Sequence, residues 1–545
     1  MKLVKKIISI VLSMVLSLSL LTFSFAEPSS DGSKTKDVDK SENADLPFAN
    51  VDNNITDNLY ADIMLRACFY NNAGSVDYVN VQISEGKNFM FLPSNADYKN
   101  MIFDFNQLSA LFIDEGENAI QIKNGEVVDI SKYLSKPLGD GSRVLKLTAV
   151  VNGDFKDYSL YFIKSENIAS MYVKSADPAN KGLYYVASVK GNQGSGALDM
   201  INSDGSVVYS GILNQIKGRG NSTWAALKKP FQIKLKTATD LIETGDTNNK
   251  SKTWVLLANA FDPTLIHNTV AYNMAKEMGI IAPDCRPVDL YYDGQYLGSY
   301  LLTEKVESGK GRVPIGDKGY LLEMDIMYGN QEDNYITDEH GNVFVVKEPD
   351  DISKDNLKIL KSYFDEIVLA LSNNGISPVT GLNIADLVDL ESLAKLYVLE
   401  ELTGDPDAFV SSIYFYLNEG GKLTAGPVWD FDSSFGVRTD IGANRTSGLT
   451  TNMGWIGDFL NLPEFKKLVR DVEVTLANPI ATKYVKTKID EYVKQISSSQ
   501  RMDELLWSEY NIGIYYETDN FKSDIKYMKN YILARNSWLY GHVGR

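Results

Sequence analysis

Apolar and polar positions alternate in short runs through the first part of the chain. One run covers residues 145–151, another covers residues 158–162, and Asn152-Gly153 lies between them. An Asn-Gly pair between two alternating runs is typical of a β-hairpin, because both residues accept the backbone angles of a tight turn. Similar runs recur over residues 59–167, which predicts a small β-sandwich module of the immunoglobulin or cadherin kind.

Strand-like runs continue after residue 168. Asp293-Gly294 joins two of them and predicts a second hairpin over residues 286–303. The other runs that we predict as strands are residues 182–189, 206–216, 230–236 and 254–258.

The first clear helix is predicted between residues 262 and 279. Asp262 is a favourable N-cap, Pro263 suits the first helical position, and Gly279 is typical of the position after a helix. The buried face would be formed by apolar residues spaced by four, namely Ile266, Val270, Met274 and Met278.

Helical patterns dominate from residue 353 onward, and only a hairpin pattern between residues 409 and 428 interrupts them. A β-rich half followed by an α-rich half is typical of an α+β protein. The predicted fold class is therefore α+β, with a two-lobed domain over residues 168–545 that follows the β-sandwich module.

The N-terminal residues carry the pattern of an export signal. Three lysines within the first six residues precede an apolar run over residues 7–25, and small residues stand at the usual cleavage position. This predicts a signal peptide over residues 1–26, with an uncleaved membrane anchor as the alternative. Residues 27–58 are polar and predict a disordered linker. We therefore expect a secreted, extracellular protein that leaves the membrane after signal cleavage.

Composition excludes several classes of function. The net charge of −17 over 545 residues argues against a nucleic-acid partner and suits a basic one. Cys68 and Cys285 are too few for a zinc site or a disulfide framework, and the three histidines have no recognisable serine nucleophile nearby. Acid–base chemistry therefore falls to carboxylates.

A glycine-rich loop at residues 217–224 lies between two predicted strands. Arg219, Asn221 and Ser222 offer a cation and neutral donors there, and glycine lets backbone N–H groups approach a phosphate. Lys234 lies on the following strand, on the face opposite to its apolar neighbours. A lysine on such a strand can pair with nucleotide phosphates, although a solvent-facing lysine has the same spacing.

Two acidic clusters lie at neighbouring turns of the predicted hairpin. Asp407 precedes one strand and is a candidate base, while Asp430 and Asp432 follow the returning strand and are candidate ligands of a divalent cation. Aspartates in turns are also common as caps. A third polar stretch around Glu304 follows a strand and could contact a nucleotide base. Glu304 or Glu277 could pair with Lys234, and the sequence does not choose between them.

Seven segments occur together in one order, and the chain resembles the CotH family, the spore-coat-type kinases of bacteria. The matching segments are residues 217–224, 229–235, 262–279, 296–306, 319–325, 407–416 and 426–436.

The resemblance implies a divergent protein-kinase-like fold that uses ATP with Mg²⁺ or Mn²⁺. It implies that Asp407 is the catalytic base and that Asp430, with Asp432, binds the metal. It also implies a Ser-rich, basic protein substrate at a spore coat or cell surface. The residues that it assigns to phosphate contacts are Arg219, Asn221, Ser222 and Lys234. Glu304 is a further cofactor-binding candidate because of its place in the polar stretch after a strand.

Two other functions remain open from the sequence. Ser412 stands where a typical kinase has a metal-binding asparagine, which would suit an inactive coat or cell-surface scaffold. The pattern Asp430-Phe431-Asp432 also occurs in glycosyltransferases that use nucleotide sugars, but the βαβ order expected of those enzymes is missing from the pattern of strands.

Overall fold

The computed structural model describes residues 58–116, 118–507 and 518–545. The predicted signal peptide, and the predicted linker except for residue 58, lie outside the described residues. Within the described ranges, no helix combines the length and the apolar character that crossing a membrane requires.

Contacts between residues divide the chain into two compact units. Of the described residues, unit 1 comprises 58–116, 118–218, 288–299 and 497–507, and unit 2 comprises 219–287, 300–496 and 518–545. The mixed α+β class is confirmed by the helices and sheets described below. The two-lobed arrangement, the β-sandwich and the domain boundaries stay predictions.

Unit 1 consists mainly of strands. Its helices before residue 218 are α1 Leu59–Ile63, α2 Pro178–Lys181 and α3 Leu183–Ser188. Its strands before that residue are β1 Arg66–Tyr70, β2 Val76–Asn80, β3 Gln82–Ser84, β4 Lys87–Leu92, β5 Met101–Asp104, β6 Ala110–Glu115, β7 Asn118–Ile122, β8 Val127–Val128, β9 Arg143–Val151, β10 Asp154–Lys164, β11 Ala169–Ser175, β12 Gln193–Ile201 and β13 Val207–Gly218.

The first ten strands form two sheets, with the orders β2-β1-β5-β8 and β3-β4-β10-β9-β6-β7. The predicted hairpin is confirmed, because β9 and β10 pair antiparallel through a turn in which Asn152 has φ 51° and Gly153 has φ 91°. Most apolar side chains of these strands, such as Phe91 and Phe162, form one buried core, and Ala110, Phe112 and Val150 form a smaller cluster.

The prediction of a strand at residues 182–189 is wrong, because α3 occupies this position. Leu183, Val186 and Ala187 are its buried residues. Their i, i+3, i+4 spacing places them on one helical face, so burial of that face outweighs the strand preference of Tyr and Val.

Unit 2 contains the larger share of the helices. Its strands, together with β16 and β17, which contribute to both units, are β14 Phe231–Thr239, β15 Ser251–Leu257, β16 Cys285–Tyr292, β17 Gln295–Glu304, β18 Tyr320–Met324, β19 Tyr335–Thr337, β20 Val343–Glu348, β21 Ile413–Leu417 and β22 Thr424–Ala425. Its helices, together with α11, which also spans both units, are α4 His267–Glu277, α5 Lys354–Ser372, α6 Ile384–Leu387, α7 Leu390–Thr403, α8 Gly454–Leu460, α9 Pro463–Val472, α10 Asn478–Lys483, α11 Ile489–Trp507 and α12 Phe521–His542.

The second predicted hairpin is also confirmed, since β16 and β17 are neighbours in one sheet on either side of Asp293-Gly294. In unit 2, β14 pairs with β15 and β15 pairs with the end of β17. A separate five-stranded sheet has the order β19-β20-β18-β21-β22. This sheet places β21, between the two acidic turns, beside β18.

Helix α4 begins later than predicted. Asp262 does not cap a helix that starts at Pro263; its carboxylate accepts the N–H groups of Thr264 and His267, each at 2.7 Å, in a turn that precedes the helix. Leu265 has φ 60° in this turn, which interrupts helical geometry until His267. The predicted buried face is confirmed, and Gly279 follows the C-terminus with φ 80°.

Candidate active site

The first acidic turn follows the C-terminus of α7. The helix ends at Gly404, whose φ is 64°, and the chain then turns toward β21 through Asp405 and Asp407. Asp405 is only 2% exposed, and its Oδ1 accepts the backbone N–H of Asp407 at 3.2 Å. Asp407 is half-buried. Of these two carboxylates, Asp407 is therefore the one that a substrate can reach, and Asp405 supports it.

The second acidic turn carries Asp430 and is bonded to the first. The Ser412 hydroxyl, at the end of the first turn, donates to Asp430 Oδ2 at 3.3 Å. Asp430 is exposed to solvent. This hydrogen bond fixes the position of Asp430 relative to the segment that contains Asp407.

Left-handed backbone conformations are concentrated in these two turns. Positive φ angles occur at Phe409 (57°), Ser412 (59°), Asp430 (68°) and Phe435 (57°). Such a conformation costs a non-glycine residue on the order of 1–3 kcal/mol. Strain of this kind is retained where the surrounding structure enforces it, which is typical of functional sites.

The first turn of α4 holds the segment that contains Asp432. Asn268 Oδ1 accepts the Phe431 N–H at 2.9 Å, and its Nδ2 donates to the Asp432 carboxylate. His267 Nδ1 donates to the backbone carbonyl of Asp432 at 3.2 Å. Asp432 is 5% exposed. Its carboxylate is thus engaged by α4, whereas that of Asp430 faces solvent.

The glycine-rich loop brings a cation to the second acidic turn. The Arg219 guanidinium lies 5.2 Å from the ring centroid of Trp429, the residue before Asp430. Its positive charge opposes the rise in the pKa of Asp430. Asn221 and Ser222 are exposed in the loop that follows Arg219.

Burial and mutual repulsion raise the pKa of each carboxyl in the two turns. Desolvation is the main cause at Asp407, where Arg438 opposes the rise and Asp325 adds to it. Asp430 is accessible, yet the protein around it is dense enough that desolvation again raises its pKa, and Asp407 adds to the rise. Burial raises the pKa of Asp432 to about 8. The carboxylates are crowded, and the positive charges of Arg219 and Arg438 compensate only part of their negative charge.

Crowded carboxylates with few cations fit a divalent metal ion. Among the residues that the structure describes, no three His, Cys, Asp or Glu side chains are arranged as a metal cluster. Mg²⁺ usually takes only one or two protein carboxylates and completes its shell with water and phosphate oxygens. Asp430 and the Ser412 hydroxyl supply hard oxygen donors of this kind.

Lys234 and Glu304 make no contact with Asp407 or Asp430 among the described side chains. Lys234 is exposed on β14. Neither acid that we considered as its partner pairs with it, because Glu277 accepts from Lys483 at 2.8 Å and Glu304 Oε1 lies 3.9 Å from Arg312 Nε.

Glu304 instead lines a cavity of about 390 Å³ within unit 2. Its Oε2 accepts the Asp284 N–H at 2.9 Å, and among the described residues its Oε1 has no hydrogen-bond partner. Burial raises the pKa of Glu304 to about 7. Val306 and Pro427 add apolar surface to the same cavity.

Sequence reasoning missed three residues that act on the site. Asn268 anchors Asp432, Asp325 accepts from the Ser411 hydroxyl at 3.2 Å, and the charge of Arg438 acts on Asp407. Asp325 follows an apolar strand, as Asp430 does, and this pattern could have singled it out. The position of Arg438 beside Asp407 depends on the course of the intervening loop, which the sequence does not reveal.

A buried ion pair lies behind the site. Arg535 of α12 and Glu401 of α7 are 1% and 0% exposed as side chains and form a salt bridge. Arg535 Nε also donates to the Glu401 carbonyl at 2.6 Å, and Glu401 accepts the N–H groups of Thr450 and Thr451. The pair thus ties α12 to α7, which leads into the Asp407 turn, and to the segment after Asp432.

Comparison with known proteins gives one family and several distant structures. Solved structures that match include the complex of HipA and HipB with operator DNA from Shewanella oneidensis MR-1, at 14% identity and TM-score 0.26, over 56% of this chain and 63% of that chain. The proinflammatory kinase CtkA of Helicobacter pylori matches at 11% identity and TM-score 0.22, over 55% of this chain and 94% of that chain. No curated protein matches. A family model described as CotH kinase protein matches residues 216–539, which is more than half of the chain, so the chain belongs to the CotH kinase protein family.

Proposed function

We propose that this protein is a secreted atypical protein kinase that transfers the γ-phosphate of ATP to Ser or Thr side chains of coat or extracellular proteins, with Mg²⁺ or Mn²⁺. The observation that carries the proposal is the hydrogen bond from Ser412 to Asp430. It joins the turn of Asp407 to that of Asp430, beside the cation of Arg219.

Asp407 would accept the proton of the acceptor hydroxyl as that oxygen attacks the phosphorus. Its carboxylate is partly accessible, and the N–H bond to Asp405 orients its backbone. The raised pKa suits this role, because a more basic carboxylate takes a proton more readily.

Asp430 and the Ser412 hydroxyl would hold the divalent cation, with Asn268 and Asp432 fixing the turn behind them. When bound, the cation neutralises and orients the phosphate oxygens. Arg219 would contact the phosphates, with Asn221, Ser222 and Lys234 as further contacts. The cavity lined by Glu304 would take the nucleotide base, since Glu304 Oε1 can accept from an amino group.

The acceptor would be a Ser-rich, basic protein. The carboxylates around Asp407 and the net charge of −17 favour cations nearby.

Labelled ATP tests the proposal directly. Purified protein is incubated with Mg²⁺ or Mn²⁺ and a Ser/Lys-rich coat protein, and incorporated phosphate is counted. We expect Asp407→Asn and Asp430→Asn to lose at least about 100-fold in rate, as loss of a general base or metal ligand does. Asp355→Asn is the matched control, because Asp355 has an 87% exposed side chain on α5. If Asp407→Asn and Asp430→Asn incorporated as much phosphate as Asp355→Asn, the assignment of the two aspartates would be wrong.

A catalytically inactive scaffold is the second candidate. Ser412 offers one hydroxyl where an amide oxygen is usual, and that hydroxyl already donates to Asp430. Titration calorimetry with ATP separates the two candidates. ATP binding that requires the metal and is abolished by Asp430→Asn supports the kinase. The same heat of ATP titration with and without metal supports the scaffold.

A further inference from the structure

Three consecutive apolar residues are exposed immediately after β18. Ile326 is 40% exposed, Met327 is 53% exposed and Tyr328 is 48% exposed. Single exposed apolar residues are common, but a contiguous group marks a surface that binds something. We call these three residues the 326–328 surface.

The backbone of the 326–328 surface is fixed. Asp325 Oδ1 accepts the N–H groups of Met327 at 3.1 Å and Tyr328 at 3.0 Å. Gly329 then packs so closely that a Cβ would lie 2.9 Å from side-chain atoms of both Val343 and Val345. A fixed backbone presents its side chains with little loss of entropy when a partner binds.

The same surface is attached to the turn of the candidate base. The Ile326 N–H donates to the Val410 carbonyl at 2.8 Å, and the N–H groups of Val410 and Ser411 donate to the Asp407 carbonyl at 2.9 and 3.1 Å. The Ser411 hydroxyl also donates to Asp325. Two consecutive backbone hydrogen bonds thus connect the 326–328 surface to Asp407, and a peptide bound at this surface would lie close to Asp407.

Carboxylates flank the surface in the chain. Asp325 directly precedes it, and Glu332 and Asp333 are exposed a few residues after it. The charge of Lys347 acts near Glu332 and Asp325, but its ammonium is paired with Glu323 at 3.1 Å. A second copy of this chain is a poor occupant, because its own net charge of −17 would be repelled. A segment that combines an apolar side chain with a cation is the complementary occupant.

We propose that the 326–328 surface binds the acceptor protein, by a large apolar side chain next to Lys or Arg and close to the phosphorylated serine. The proposal rests on the kinase function above. The apolar side chain packs on Met327 and Tyr328, the cation faces Glu332 and Asp333, and the serine hydroxyl comes to Asp407. The surface thus selects among basic segments by their apolar residue.

Two fluorescent peptides test this. Both contain Ser and Lys; one has Leu near the serine, and the other has Gly in that place. We expect the wild-type protein to bind the Leu peptide at least about tenfold more tightly by fluorescence anisotropy, since the leucine side chain leaves water when it packs on the surface. Met327→Gln should remove this preference and raise the KM for the Leu peptide by a similar factor, with the KM for ATP unchanged.

Ile359→Gln is the control, because Ile359 is 67% exposed on α5. Equal binding of both peptides, or a preference that survives in Met327→Gln and in Tyr328→Ser, would overturn the proposal. A change from dimer to monomer in Met327→Gln without an effect on peptides would overturn it too, in favour of self-association. Peptide discrimination without any phosphate transfer would support the docking surface and contradict the kinase function.

Discussion

Two charges of opposite sign act on the carboxylate of Asp407. Arg438 opposes the rise in its pKa, and Asp325 adds to the rise that burial causes. Because a base must be deprotonated to act, the protonation of Asp407 would set the acid limb of the pH–rate profile. The two neighbours should therefore move this limb in opposite directions.

We expect Arg438→Gln to shift the acid limb of kcat/KM to higher pH, because loss of the cation raises the pKa of Asp407 further. Asp325→Asn should shift the limb to lower pH, because it removes a repelling charge. The measurement is a pH–rate profile of phosphate transfer at constant metal concentration. Shifts of the same sign in both variants would show that another group controls the limb.

Individual residues of the site differ in how far the sequence reveals them. Asp407 and Asp430 could be found because each lies in a turn at the end of an apolar strand. Asp432 could be found in the same way, but its burial against Asn268 depends on the packing of α4, which is distant in sequence. Lys234 was placed on the correct face of its strand, yet alternation does not tell which surface that face meets.

At the scale of elements, helix α4 holds the second acidic turn through two side chains of its first turn, His267 and Asn268. Asn268 bonds both the Phe431 N–H and the Asp432 carboxylate, and so fixes the turn that presents Asp430. Groups that orient metal ligands commonly change metal affinity by 10- to 100-fold when they are removed. The candidate metal site therefore depends on the position of α4.

We expect Asn268→Ala to raise the Mn²⁺ concentration for half-maximal activity by about 10- to 100-fold. Asn273→Ala is the matched control, since Asn273 lies on the same helix and donates to the Thr269 carbonyl of that helix at 2.8 Å. Metal titrations of both variants give the comparison. Equal half-maximal concentrations would show that α4 does not position the metal ligands.

Elements with local signals were predicted well, and those that depend on packing were not. Asn152-Gly153 and Asp293-Gly294 specify their hairpins through the backbone angles of the turn itself. By contrast, residues 183–188 contain strand-favouring side chains but form α3, because only the packed structure shows which face is buried. Helix α4 also starts later than predicted, because Leu265 adopts a left-handed conformation that the pair Asp262-Pro263 does not predict.

Across the whole molecule, buried carboxyls with raised pKa values recur away from the site. Burial raises the pKa of Asp77 to about 7, that of Asp289 to about 6 and that of Glu473 to about 7. Between their ordinary values near 4 and these values, the folded protein holds protons that the unfolded chain has lost. The free energy of unfolding therefore falls as the pH rises through this window. His267 acts in the opposite direction, because burial lowers its pKa.

We expect the melting temperature to decrease as the pH rises from 5 to 8, and Glu473→Gln to make this decrease shallower. Glu473 is 0% exposed, and among the described residues its carboxyl oxygens have no hydrogen-bond partner. The variant removes the cost of ionising this group. Calorimetry over the pH range measures the slope, with the exposed Glu464→Gln as control. An unchanged slope in Glu473→Gln would contradict the argument.

The ion pair of Arg535 and Glu401 has a consequence for the order of synthesis. The two residues are 134 positions apart, so the ribosome adds Arg535 roughly 7–27 s after Glu401 at about 5–20 residues per second. Until then the buried Glu401 carboxylate has no Arg535 to pair with. We therefore expect α7 and the Asp407 turn at its end to remain incompletely packed. A growing chain would therefore complete the Asp407 turn only after α12 has been synthesised, so a chain that stops before Arg535 would lack the ordered site.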